Sequence, residues 1–195
     1  DDLMDEVIEK AAEMTKERGH IESLSEEERS TLFEQIGLGG LKYYLLKVDP
    51  KKRMMFNPAE SIELNGHTGP FIQYAHARIA AVLRNVAELG IPTGLDNFDP
   101  AQLNHDRENQ LLGTLAEFPR VVAQAAELRE PHRVARYLEE LAGVYHGFYA
   151  DCRVLPLGEE AIAPIHSARA NLCAATMQVI ANGLDLLGVS APERM

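Results

Sequence analysis

The chain has 195 residues, 46% of them apolar and 25% charged, with a formal net charge of −11 at pH 7. Folded domains run to about 100–150 residues, so one large domain, or a domain with an attached segment, is expected, and the composition excludes a disordered chain. No apolar run reaches the roughly 18–20 residues that cross a bilayer, and the acidic opening residues do not resemble a secretion signal, which points to a cytoplasmic protein without membrane contact. Cys152 and Cys173 are too few and too isolated for a disulfide framework or a CxxC zinc site, and they read as buried thiols.

Leu3, Val7, Ala11 and Met14 form one stripe of an amphipathic helix, with Asp1 or Asp2 able to cap it and Glu6 four residues before Lys10. Gly19 and His20 end that helix. Ser25-Glu-Glu-Glu28 is a capping box and opens a second helix through Leu32, Ile36 and the run Leu41 to Leu46. Gly37, Gly39 and Gly40 lie inside it without the spacing of a phosphate-binding loop, so they predict close approach to a neighbouring backbone. Asp49 to Thr68 is dense in turn formers, and a domain boundary is placed there, with residues 1–66 ahead of it and 67–195 beyond. Lys51-Lys52-Arg53 within this stretch reads as a solvated turn.

From Pro70 the apolar period predicts helices over 69–90, 100–118, 120–130, 132–154 and 165–187, with Asp99-Pro100 opening the second and Gly90 and Gly188 closing the first and last. No strand-like alternation occurs. The fold expected is all-α, a bundle of about five long helices preceded by a helical segment. His76 and His166 have no companions at metal spacing and read as ordinary helix histidines, and no metal site or catalytic residue is predicted.

The net charge has the wrong sign for a groove that grips phosphates. Its distribution is uneven, however. Residues 1–66 hold six Lys and three Arg, whereas residues 67–195 hold ten Arg and no Lys. Arginine can stack on bases and fork onto phosphates, so this bias suits the reading of unstacked bases, although codon usage produces the same bias.

Three stretches carry a resemblance. They are Ile36-Gly-Leu-Gly-Gly-Leu-Lys-Tyr-Tyr44, Phe56-Asn-Pro58 and, most specifically, Gly66-His-Thr-Gly-Pro-Phe-Ile-Gln-Tyr-Ala-His-Ala-Arg78. They resemble arginyl-tRNA synthetases, in which a string like the last opens the helical anticodon-binding domain; His67 is its clear departure. Phe148 to Leu155 and the closing Ala191-Pro-Glu-Arg-Met195 are similar to the same family, and Asp2-Leu-Met-Asp-Glu6 resembles the segment after its ATP-binding signature loop. The resemblance implies that residues 1–66 are the tail of a catalytic region and 67–195 the anticodon-binding domain of an arginine–tRNA ligase. The partners implied are an arginine-accepting tRNA, not DNA, and the N-terminal catalytic domain. ATP with Mg is implied for the full-length enzyme and no cofactor for these residues, since the family's active-site motifs would lie upstream and leave this portion inactive alone.

The site residues then expected are Phe71, Tyr74 and Arg78, at i, i+3 and i+7 on one helical face, and Tyr145 and Tyr149, four apart on another. Unstacked bases are held by aromatic or guanidinium planes, and a tyrosine offers a ring while keeping its hydroxyl wet. Arg153, continuing the helix of Tyr149, reaches a phosphate or base or pairs with Glu139, Glu140 or a neighbour. Met195 matches a terminal methionine that lies against the anticodon in relatives. A different reading of the same aromatic face is a stand-alone helical module that binds protein and no RNA, and a weaker one is the related domain of another synthetase.

Overall fold

The computed structural model describes residues 2–17, 24–64 and 66–195. The Gly19–His20 break and a cap at Asp1 fall outside them. The helices are α1 (Asp2–Glu17), α2 (Glu26–Leu46), the short α3 (Pro58–Ser61), α4 (Gly69–Glu88), α5 (Asp106–Ala116), α6 (Phe118–Leu128), α7 (His132–Asp151) and α8 (Pro164–Leu186). Among the described residues there is no strand and no helix long and apolar enough to cross a membrane.

The capping box forms as its residues require: the Glu28 N–H donates to the Ser25 hydroxyl at 3.2 Å, and the Ser25 N–H donates to the Glu28 carboxylate at 2.8 Å. The glycines of α2 then allow backbone contact on two sides. A Cβ on Gly37 would stand 2.8 Å from the Ile8 Cα, and one on Gly40 2.7 Å from the Ser61 carbonyl, so α1 and α3 close directly on α2. Asn57 caps α3 by accepting from the Ala59 N–H at 3.2 Å, and Phe56 meets the Tyr44 ring edge-on at 5.1 Å. The Phe-Asn-Pro stretch is thus an aromatic anchor followed by a helix start.

Thr68 caps α4, its hydroxyl accepting from the Phe71 N–H at 3.2 Å, with Pro70 in the first turn. Ile72, Ala75, Ile79, Val82 and Val86 are buried along one side of this helix and share a core with α7 and α8. Tyr43 of α2 enters the same core, fully buried, with its hydroxyl 2.6 Å from a Glu139 carboxylate oxygen and 3.0 Å from the Ala135 carbonyl. Glu139 also meets His67 Nδ1 at 2.8 Å.

Two helix boundaries differ from expectation. Asp99-Pro100 opens only a 3-10 turn, Pro100–Gln102, although the Asp99 carboxylate caps it by accepting from the Ala101 N–H and the Gln102 amide. Leu103 then turns extended and buries its side chain, and α5 begins after a new cap at His105, whose backbone N–H donates to Glu108 at 2.8 Å. Similarly, α7 ends at Asp151 rather than near residue 154, where an extended Cys152 lets Cys152 and Val154 turn into the core. The two free cysteines are both buried.

Candidate nucleic-acid interface

The exposed flank of α4 lines an open groove of about 640 Å³ in which Tyr74, Arg78, Arg84, Arg194 and Met195 converge. Tyr74 is 38% exposed. The groove has a floor because Ala77 and Ala81, on the same stripe of α4, are too small to fill it. Ion pairs between described residues engage Arg107, Arg120, Arg133, Arg153 and Arg169. None of those pairs uses Arg78, Arg84 or Arg194. Three guanidinium groups that form no ion pair among the described residues thus line one groove, together with Glu193, and offer forked donors to an anion.

Arg78 joins this groove to a second surface. Its guanidinium lies 4.6 Å from the centre of the half-buried Tyr149 ring, a cation–π geometry that leaves the ring's other face uncovered by it. Tyr149 in turn lines a hollow of about 370 Å³ with Arg153 and Leu155. The wall of that hollow is held from behind: Arg169 donates to the Arg153 carbonyl at 2.8 Å and pairs with the buried Glu108 at 2.6 Å. His146 packs between these groups, with its ring 5.3 Å from that of Phe71. Burial, and then the Arg78 charge, hold its imidazole below the usual histidine range, so it is neutral near pH 7 and adds no repulsion.

The predicted residues therefore divide. Tyr74, Arg78 and Met195 meet in one groove, and Arg78 links them to Tyr149. Phe71, on the same helix, is half-buried against the core and His146. Tyr145 is corrected from platform to core: it is fully buried, its ring 6.1 Å from that of Tyr149, and no base can reach it. Residues four apart on a helix diverge by about 40°, enough for one ring to point inward and the next to reach the rim. Its hydroxyl finds no oxygen or nitrogen partner and is left with the weakly accepting Cys173 thiol. Arg153 does not continue α7; it lies beyond the helix end and pairs with Glu160 at 2.9 Å rather than with Glu139 or Glu140. The carboxyl of Glu160 is held below its ordinary range by the Leu157 N–H and then by Arg153.

Arg84, Arg194 and His146 belong to this surface and were not predicted. The alternation of Ala77 and Ala81 with Arg78 and Arg84 was a legible signal for the first. Nothing local marks Arg194, which the fold brings back from the far end of the chain. His76 and His166 are buried helix residues with backbone partners, Pro192 at 2.9 Å and Ala163 at 3.0 Å.

The profile of the DALR anticodon binding domain matches residues 72–195. The chain belongs to this family. An arginine–tRNA ligase of Frankia alni is 63% identical over 125 residues, covering 64% of this chain and 23% of that protein. The solved Thermus thermophilus arginyl-tRNA synthetase superposes on all of this chain with a TM-score of 0.85 at 29% identity, and this chain covers 32% of it. The Plasmodium falciparum arginyl-tRNA synthetase has the same fold, with a TM-score of 0.82 at 21% identity, 100% of this chain and 33% of that one. The chain thus spans about a quarter to a third of the relatives it matches. The aromatic and arginine residues that line the groove and the hollow fall inside the DALR segment, whereas Leu24, which also lines the groove, lies ahead of it.

Proposed function

We propose that this DALR domain recognises the anticodon of an arginine-accepting tRNA as part of an arginine–tRNA ligase, with α4 and the end of α7 supplying the contact surface. The observation that carries this reading is the Arg78 guanidinium stacked on Tyr149 beside a groove holding Tyr74, Arg84, Arg194 and Met195. Those groups offer planes for unstacked bases and forked donors for phosphate or base edges. Residues 1–66 are read as the tail of the catalytic region and its connection, and 67–195 as the anticodon-binding domain. The small separate cores that α1 and α2 share support this division, and Tyr43 couples the two parts.

ATP and Mg would serve the catalytic region, and no residue here is assigned to them. The glycines of α2 are filled from outside, Gly39 by the Gln73 amide and Gly40 by Ser61, so they leave no cradle for phosphate. Binding at the anticodon surface can be coupled to chemistry elsewhere in a full-length enzyme, since such a coupling is reciprocal. Nitrocellulose filter binding of this chain tests the reading directly, comparing arginine tRNA with a transcript whose anticodon is replaced. Preferential retention of the first is expected. Equal retention of both overturns it, and retention of neither favours a protein-binding surface.

A further inference from the structure

Residues 188–195 follow the end of α8 as an irregular strap whose carbonyls are taken up by side chains of other helices. Lys42 Nζ donates to the Gly188 carbonyl at 2.7 Å, Gln73 Nε2 to that of Ser190 at 2.9 Å, His76 Nδ1 to that of Pro192 at 2.9 Å, and Arg84 to that of Glu193 at 3.3 Å. Gln73 and His76 are buried polar groups on α4, one turn apart, and burying them is costly unless they are paired. Gln73 also donates to the Gln35 carbonyl at 3.1 Å, tying α2 to the same point. Beyond the last of these bonds come Arg194 and Met195. Met195 packs against the small α1–α2 core, and both residues line the groove beside Tyr74 and Arg78.

We infer that His76 and Gln73 are positioning residues for RNA recognition: from inside α4 they fasten the strap so that Arg194 and Met195 stand in the groove before RNA arrives. The inference rests on the anticodon reading for its ligand, but the fastening is a property of the protein alone. Only the N–H groups of Gly188 and Val189 bond back to α8, and past them the described strap is held by these side-chain bonds and by the burial of Val189 and Pro192; a docked segment that is only partly populated weakens binding by the inverse of its population. His76 serves the groove without touching it.

Amide hydrogen exchange over residues 189–195 and filter binding of arginine tRNA, on the same proteins, test the inference. His76→Ala should accelerate exchange in this segment while α5 to α8 keep wild-type protection. It should also weaken RNA binding roughly 3- to 10-fold, the loss of a strap docked for a tenth to a third of the time. In an Arg194→Ala/Met195→Ala background the same change should cost no further affinity, because nothing remains for the strap to present. Unchanged exchange, or a full additional loss in that background, overturns the inference. Gln73→Leu keeps the side-chain volume, removes the donor to Ser190 and also an unpaired buried Oε1, so it remains informative if His76→Ala is globally unstable; faster exchange confined to 189–195 supports the strap, and unchanged exchange refutes it. If wild-type protein fails to discriminate anticodons, the RNA reading falls while the exchange result still decides the fastening.

Discussion

Replacing Tyr149 by alanine removes the one aromatic ring that faces both Arg78 and the hollow at the end of α7. Arg78 packs on that ring at 4.6 Å, the ring also lines the hollow, and stacking of a base on an aromatic ring is worth about 1–3 kcal/mol. The cation–π contact that steadies Arg78, worth ~0.5–1 kcal/mol, is already made in the free protein and does not enter the binding figure. Tyr149→Ala should therefore weaken binding of arginine tRNA by roughly 5- to 150-fold. Salt dependence separates stacking from charge in the same titration. If Arg78, Arg84 and Arg194 supply the phosphate contacts, each contributes about −0.7 to the slope of log affinity against log salt on single-stranded RNA, for a total near −2. The assay is filter binding of wild type and Tyr149→Ala at several salt concentrations, with circular dichroism to confirm the fold. A folded Tyr149→Ala that binds like wild type refutes the platform, and a slope several times steeper than −2 refutes stacking as the main source of affinity.

Tyr145→Phe should leave RNA binding unchanged and stability level or slightly raised, since it removes a buried hydroxyl without an oxygen or nitrogen partner; a clear loss of binding in the filter assay would return Tyr145 to the site. Tyr43→Phe breaks a buried hydrogen bond to Glu139, a charged acceptor worth about 1.5–3 kcal/mol, and should lower the thermal midpoint by roughly 3–12 °C in one cooperative transition. Two separate transitions would show that α2 and the bundle melt independently. Burial pushes the Cys173 thiol up to about 12 from 9.0, and Cys152 shifts the same way. Because the folded value lies above the unfolded one, this contribution to stability is complete below pH 9 and is lost as pH rises from 9 towards 12. Unfolding midpoints measured across pH 7–11 should fall on the alkaline side, and native protein should resist alkylation by iodoacetamide at pH 8.

Much of the architecture was already present as local pattern. Ser25 and Glu28 can satisfy each other's backbone wherever they occur three residues apart, Pro70 after Thr68 starts a helix without help, and the period of Ile72, Ile79 and Val86 specifies a buried side whatever covers it. Such signals act over one or two turns. The stretch from Gly66 to Arg78 also carried the family, because a string of mixed types at fixed spacing is specific in a way that composition is not. Asp99-Pro100 shows the limit of the local signal: a good helix start stopped after one turn because Leu103 had a core position to fill and Glu108 an arginine to meet. Tyr145 and Tyr149 are equivalent in sequence, and only the packing of α7 against α4 and α8 made one core and the other rim. The groove itself was invisible for the same reason. Arg84 and Arg194 are 110 positions apart, and what joins them is a strap held by side chains of two other helices; contacts at that separation depend on how whole helices pack, which no short-range pattern encodes.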